Sequence, residues 1–265
     1  MLGGLVSLLP FGISLHKFCR YIFGKQRKKR PLEYGLNVLL HRLNDAELNK
    51  KYLKNKVFLE IAPGDNFSGP IAAVLLGAKK AIGIDAYDYT EFKHNSAIVE
   101  NHCSCVNIDA ARRNRILQDL KSFSKDSPSK FFCYFAPYQP NDIFDDSLDV
   151  IMSLSTMEHV QKPEQLYQNC YNWLKPGGIM IHKIDFSAHG MCKDWFGHLL
   201  LPELLFKIAS GKKTFMNRWT EKQHIEACIN AGFSLQKRIP FKGAIKAPKP
   251  IEDLPVAATH IWIKS

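Results

Sequence analysis

The sequence predicts an α/β fold, a Rossmann-like, seven-stranded, mostly parallel sheet with helices on both faces. Three observations carry that expectation. The apolar run at 57–61 contains Glu60 and is followed at once by the breakers Pro63 and Gly64. A second apolar run, 81–84, closes on another acid, Asp85. Strand-like and helix-like segments then alternate to the C-terminus. Two parallel strands joined by a helix, each with an acid at its carboxyl end, form half of a nucleotide-binding unit. Either acid alone could simply cap a turn; the pair is much less often accidental.

The first strand follows the polar, lysine-rich stretch 49–56, and an apolar helix at about 68–76 leads to the second. Beyond Asp85 the pattern gives a helix at about 108–123, a short apolar strand at 131–135, and a strand at 148–154 that starts after the polar stretch 141–147. Pro163 opens a helix that ends at Leu174, before Lys175-Pro176-Gly177-Gly178, and 179–184 is the fifth strand. Thr220 with Gln223 forms a capping box for a helix stopped by Gly232. The last two strands fall at 233–237 and 259–264, on either side of a proline-rich loop. No internal repeat or low-complexity tract is present.

The 265 residues, 46% of them hydrophobic, support a sizeable core. The expected organisation is an N-terminal helical extension with a basic cluster at 1–50 and one domain over 51–265, with a lid insertion at 186–219. Seven cysteines, an odd number with no CxxC pair, suggest neither a disulfide framework nor a zinc site, so no metal is expected and a reducing, cytoplasmic interior is the default. No apolar run reaches the roughly 18 residues of a membrane span. The positive charges follow the uncharged start, the wrong order for a secretory signal. Much of the net charge of +11 comes from Lys17, Arg20, Lys25, Arg27, Lys28, Lys29 and Arg30, with no acid in 1–30. Ser14 can cap a helix there with Leu15, Phe18, Cys19 and Ile22 on one face. Such a segment could make a peripheral contact with an anionic membrane or another polyanion, or pack over the domain as an ordinary helix.

These residues resemble the class I S-adenosylmethionine-dependent methyltransferases from about Val57 onward. The resemblance rests on Glu60 to Gly64, Asp85, Glu158-His159-Val160 after the fourth strand, and Leu174-Lys175-Pro176-Gly177-Gly178 before the fifth. A narrower resemblance, through His182-Lys183-Ile184-Asp185-Phe186-Ser187-Ala188-His189-Gly190, then Trp195, Gly197-His198 and Asn217-Arg218, is to bacterial methyltransferase-domain proteins associated with surface-polysaccharide or natural-product synthesis. It implies S-adenosylmethionine as cofactor, held by Glu60, Ala62, Gly64, Asp85, Gln139 and Ser153, with Asp85 on the ribose hydroxyls. It also implies O-methylation of a small polar or sugar-like acceptor. Two departures stand out: Ala62 replaces the usual first glycine of the turn and Asn66 the usual third. A positive φ at position 62 would cost an alanine about 1 kcal/mol.

Acceptor chemistry is expected at the carboxyl ends of strands four and five. Methyl transfer from a sulfonium is an in-line displacement, so the protein aligns a nucleophile and removes its proton. His182 or His189, with Asp185 in support, are the candidate catalytic residues; His182 could equally be a hydrogen-bonded core residue. Glu158, His159, Trp195, Asn217 and Arg218 are candidate acceptor-binding residues. The lid residues Lys207, Lys212, Lys213 and Arg218 would suit a phosphorylated or carboxylated acceptor, although cations near a helix C-terminus explain the lysines as well. His198, His224 and His260 read as surface or packing residues.

Three other classes compete with this reading. A nicotinamide dehydrogenase would need GxGxxG, which 62–69 lacks. A nucleic-acid methyltransferase is compatible with the charge, but Ser153-Leu154-Ser155-Thr156 stands where an amino-methylating enzyme would carry Asp/Asn-Pro-Pro-Tyr/Phe. A catalytically inactive, methyltransferase-like binding protein would fit Ala62.

Overall fold

The computed structural model describes residues 31–88, 90–124, 127–189, 191–210, 215–241 and 254–265. The strands are β1 (Val57–Ile61), β2 (Lys80–Ile84), β3 (Phe132–Phe135), β4 (Leu148–Leu154), β5 (Leu174–Asp185), β6 (Phe233–Phe241) and β7 (Ala257–Lys264), forming one sheet in the order β3-β2-β1-β4-β5-β7-β6. β1 to β5 are parallel, and β7 runs antiparallel between β5 and β6. The helices are α1 (Tyr34–Asp45), α2 (Ser68–Leu75), α3 (Asn95–Cys105), α4 (Ala110–Ser122), α5 (Pro163–Trp173), α6 (Gly197–Leu200), α7 (Glu203–Ser210) and α8 (Glu221–Asn230).

Strand alternation divides the core into two layers. Phe58, Ile71, Phe132, Val150 and Ile181 pack with α1 and α2 on one face, while Leu59, Ile151, Met180, Tyr167, Trp173 and Trp262 pack on the other. The parallel strands are apolar on both sides because both sides are covered. α1 belongs to the first layer. Its Leu36, Leu39 and Leu43 are buried, and Arg42 donates to Thr259 Oγ1 at 2.6 Å while pairing with Asp45. The basic segment 1–30 lies outside the described residues.

Three elements differ from expectation. The helix expected at 108–123 is α4, but a further helix, α3, precedes it; α3 escaped notice because only Asn95, Ile98, Val99 and His102 of it are buried. Asp109 starts α4 by accepting from Arg112 N–H at 2.9 Å. β5 begins at Leu174, which pairs with Leu148 before a register shift at Pro176-Gly177-Gly178, where Gly177 has φ 74°. β6 and β7 are longer than their apolar cores because each is the other's ladder partner. No helix among the described residues is long and apolar enough to cross a membrane.

Candidate active site

The strand order reverses between β1 and β4, the position where an open α/β sheet leaves a crevice at its carboxyl edge. The loop after β1 enters this crevice with Ala62 at φ 57° and Gly64 at φ 87°. Ala62 N–H donates to the Ile84 carbonyl at 2.7 Å, and Thr90 Oγ1 donates to the Gly64 carbonyl at 2.8 Å, so the loop is tied to β2 and to the segment after it. Asn66 stays out of the left-handed region and instead accepts from Ser68 N–H at 3.1 Å, holding the entry to α2. Glu60 lies against the first turn of α2, where a carboxylate meets the positive end of the helix dipole. A Cβ on Gly69 would stand 2.1 Å from Glu60 Oε2, so only glycine lets the helix approach that closely. A small cavity here is lined by Tyr34, Glu60, Ala62, Pro63, Gly69 and Leu154 among others.

Asp85 closes β2. Burial pushes its carboxyl up to about 6 against the opposing pull of the Tyr87 and Ala86 amides, and its Oδ1 accepts from Tyr87 N–H at 3.3 Å. A desolvated, acceptor-only carboxylate whose protein donors are backbone amides is suited to the two hydroxyls of a ribose. With Gly64 open to close backbone approach, these residues fit an adenosyl cofactor. Gln139 is exposed one residue beyond Tyr138, whose N–H donates to the Asp85 carbonyl at 3.0 Å, and its own N–H donates to Asp142 Oδ2 at 2.6 Å. Ser153 does not face the crevice. It shares the Ile151 side of β4, is fully buried, and meets His182 Nδ1 at 2.6 Å, which leaves it no surface for a cofactor.

Beside the crevice, β4 and β5 bring together the turn at 157–159 and the segment 185–189. His189 Nε2 is 3.5 Å from Asp185 Oδ2 and 3.8 Å from Glu158 Oε1, with the His189 side chain 30% exposed. The His159 ring stands edge-on to His189 at 4.9 Å, and its Nδ1 meets the Phe215 carbonyl at 2.8 Å. Ligand atoms of Glu158, His159 and His189 lie within 4.8 Å of one another. Burial raises Asp185, but hydrogen bonds from His189 and Ser187 outweigh it and hold the carboxyl below its usual range. Burial pushes Glu158 up to about 8; the amides of Glu158 and Asp185 oppose this without reaching hydrogen-bond geometry, so the protonated form is favoured. Three of the six non-glycine residues with positive φ among the described residues, Ala62, Ser155 and His189, lie on this edge, where backbone strain commonly marks function.

The structure separates the remaining candidates. His182 is 0% exposed and held at about 3 by burial and then by His260. It belongs to a buried polar layer with Tyr167, whose hydroxyl meets His224 Nδ1 at 2.8 Å, and with the Arg238–Glu221–His260 chain. No acceptor reaches it, so the base role does not fit His182. Asn217 is likewise turned inward: its Nδ2 donates to the Met157 and Val160 carbonyls at 2.7 and 3.0 Å, and its N–H donates to the Glu158 carbonyl at 2.8 Å. Its backbone N–H thereby fixes the Glu158 carbonyl. Trp195 is partly exposed on the lid. His198, read from sequence as a surface or packing residue, is buried beside His189 and Arg218, and burial first, then these neighbours, lower it to about 4. A larger hollow lined by Arg115, Asp119 and Lys130 lies at the amino end of β3, where Asp119 is engaged by Ser129, Lys130 and Phe131.

Residues 93–182 match the family described as Methyltransferase domain. No curated protein matches the sequence. Among solved structures, the chain is similar to a phosphoethanolamine N-methyltransferase of Haemonchus contortus in complex with S-adenosyl-L-methionine. The two share 15% identity and a TM-score of 0.52, over 96% of this chain and 58% of that one. It is also similar to a Galdieria sulphuraria protein described as a sarcosine dimethylglycine methyltransferase, with 12% identity and a TM-score of 0.51, over 94% of this chain and 97% of that one. At these identities the likeness shows the fold. The family segment spans the turn at 157–159 and most of β5, so the match and the fold together mark a methyltransferase domain whose matched stretch includes part of the crevice edge.

Proposed function

We propose that this methyltransferase methylates an oxygen of a small polar or sugar-like acceptor, with His189 as general base and Asp185 as its orienting partner. The observation that carries the reading is the partly exposed His189 ring 3.5 Å from Asp185 at the carboxyl end of β5. Asp185, held ionised, accepts from Nε2–H and leaves Nδ1 to take the acceptor proton. Gly64 and Asp85 hold the adenosyl group, with Glu60 and Ala62 shaping the loop. S-adenosylmethionine supplies an electrophilic methyl on its sulfonium. The neutral Glu158 places no second negative charge against the pair, and His159 walls it on the other side.

Single-turnover rates across pH test the assignment. His189→Gln should lower the rate about a hundredfold with little change in cofactor affinity, and should remove the acid limb of the profile. A higher acceptor KM with an unchanged profile would reduce His189 to a pocket wall. Dialysis against EDTA should leave turnover intact. Loss restored by a divalent ion would instead make the Glu158, His159 and His189 cluster a metal centre.

The seven positive charges of residues 1–30 support a peripheral contact with an anionic membrane, which would bring the enzyme to a lipid-linked acceptor. Removing the segment should abolish co-sedimentation with anionic vesicles at low salt and spare cofactor affinity. Full-length protein that ignores such vesicles would leave the segment a packed helix.

A further inference from the structure

The acceptor side of the crevice contains a cation that the mechanism above does not use. Arg218 is 27% exposed, and its guanidinium lies over the Phe206 ring with Cζ 4.0 Å from the centroid. Its Nε and Nη2 are buried with no hydrogen-bond partner. The carboxylate facing it, Glu203 Oε2, stands 3.6 Å from Nη2 on a side chain that is 65% exposed, beyond hydrogen-bond reach and poorly desolvated. Beside it the buried His198 presents an Nδ1 that also has no partner. Donors left unpaired inside a protein are destabilising, more so when charged. Two neighbouring cases are suited to one ligand that can pair with both. The position is fixed, because Asn217 pins this stretch to the turn that holds Glu158, and His198 neighbours both His189 and Arg218.

We propose that the methyl acceptor carries an oxyanion, a phosphate or a carboxylate, which Arg218 grips through Nε and Nη2 and His198 contacts through Nδ1, presenting the acceptor hydroxyl to His189. The planar Arg fork matches two oxygens of one anion, and stacking on Phe206 sets its plane. Glu203 is the internal competitor that such an anion displaces, and Lys207, itself paired with Glu203 at 3.3 Å, adds positive charge at the rim. This inference rests on the acceptor site being the one described above.

The test uses the full chain saturated with S-adenosylhomocysteine, titrated with inorganic phosphate in one arm and malonate in the other, following the arginine Nε–H signals by NMR. One of the two ions should move the Arg218 signal saturably, and the arm that does so names the anion. Arg218→Gln should weaken binding at least tenfold, Arg218→Lys should recover only part of it, and Glu203→Gln should strengthen it. A wild-type protein that binds neither ion, or an Arg218→Gln variant that binds as well as wild type, overturns the inference. Failure of the cofactor reading is scored separately, by calorimetry with S-adenosylhomocysteine alone, so one can fall without the other.

Discussion

Asp85 and Ala62 carry the sharpest expectations for individual side chains. Asp85→Ala removes a charged acceptor, worth roughly 1.5–3 kcal/mol, and should weaken cofactor binding about ten- to a hundredfold; unchanged calorimetric affinity would end the ribose assignment. Because burial pushes the Asp85 carboxyl up to about 6 and two hydroxyl donors favour its ionised form, binding near pH 6 should release a fraction of a proton. Isothermal titrations in buffers of different ionisation enthalpy read that number directly. Ala62 at φ 57° has the strain that its side chain threatened. Ala62→Gly should gain about 1 kcal/mol of native-state relief, partly offset by the greater freedom of glycine in the unfolded chain, and should tighten cofactor binding if the loop relaxes toward a closer approach.

Among the elements, α8 shows local chemistry and tertiary packing agreeing. Thr220 N–H donates to Gln223 Oε1 at 2.9 Å, and Gln223 N–H reaches back to Thr220 Oγ1, so both orphan donors at the helix start are satisfied. Thr220→Ala should cost about 1 kcal/mol and lower Tm by a few degrees without altering cofactor affinity. β1, β2, β4 and α5 were readable for the same reason: each has one dominant periodicity and clear punctuation. α3 was not, because a helix whose exposed side is Ser96, Glu100 and Ser104 has too narrow an apolar stripe to announce itself. α1 lies wholly before residue 50, yet its leucines share one packed layer with α2.

The whole molecule has opposing sets of buried ionisable groups, and their balance predicts its stability against pH. His182, His198 and His224 are held at about 3, 4 and 3, so each takes up a proton on unfolding once the pH falls below about 6.5, which destabilises the fold. Glu158 and Asp85 work the other way: raised to about 8 and about 6, they keep protons in the folded state that the unfolded chain releases. Above pH 6.5 the Glu158 effect dominates and stability falls as pH rises toward 8. Between about 4.5 and 6 three histidines outweigh two acids only slightly. Below 4.5 Glu221, held at about 2 although burial opposes it, because His260 and Arg238 pair with it, joins the histidines and the loss steepens. Thermal unfolding from pH 4 to 9 should therefore peak near pH 6, and Glu158→Gln should flatten the alkaline side. A profile rising steadily to pH 8 would contradict a buried neutral Glu158.

Sequence alone determined the α/β class, the acids at the ends of β1 and β2, and the stretch from Glu158 to His189 to which acceptor chemistry is assigned by proposal, because strand periodicity, turn residues and carboxyl-end acids are local patterns. Tertiary structure decided which of those polar residues face the crevice. His182 and His189 are equally plausible as letters, but alternation along β5 sends the first into the layer shared with Tyr167 and His224, while the chain's turn brings the second back to Asp185. The same geometry withdrew Ser153 and Asn217 from the ligand surface and brought in His198, whose burial beside Arg218 depends on how α6 and the segment at 215–219 meet across the fold. Side-chain direction and long-range juxtaposition leave no periodic trace in a single sequence, and the chemistry of this site depends on both.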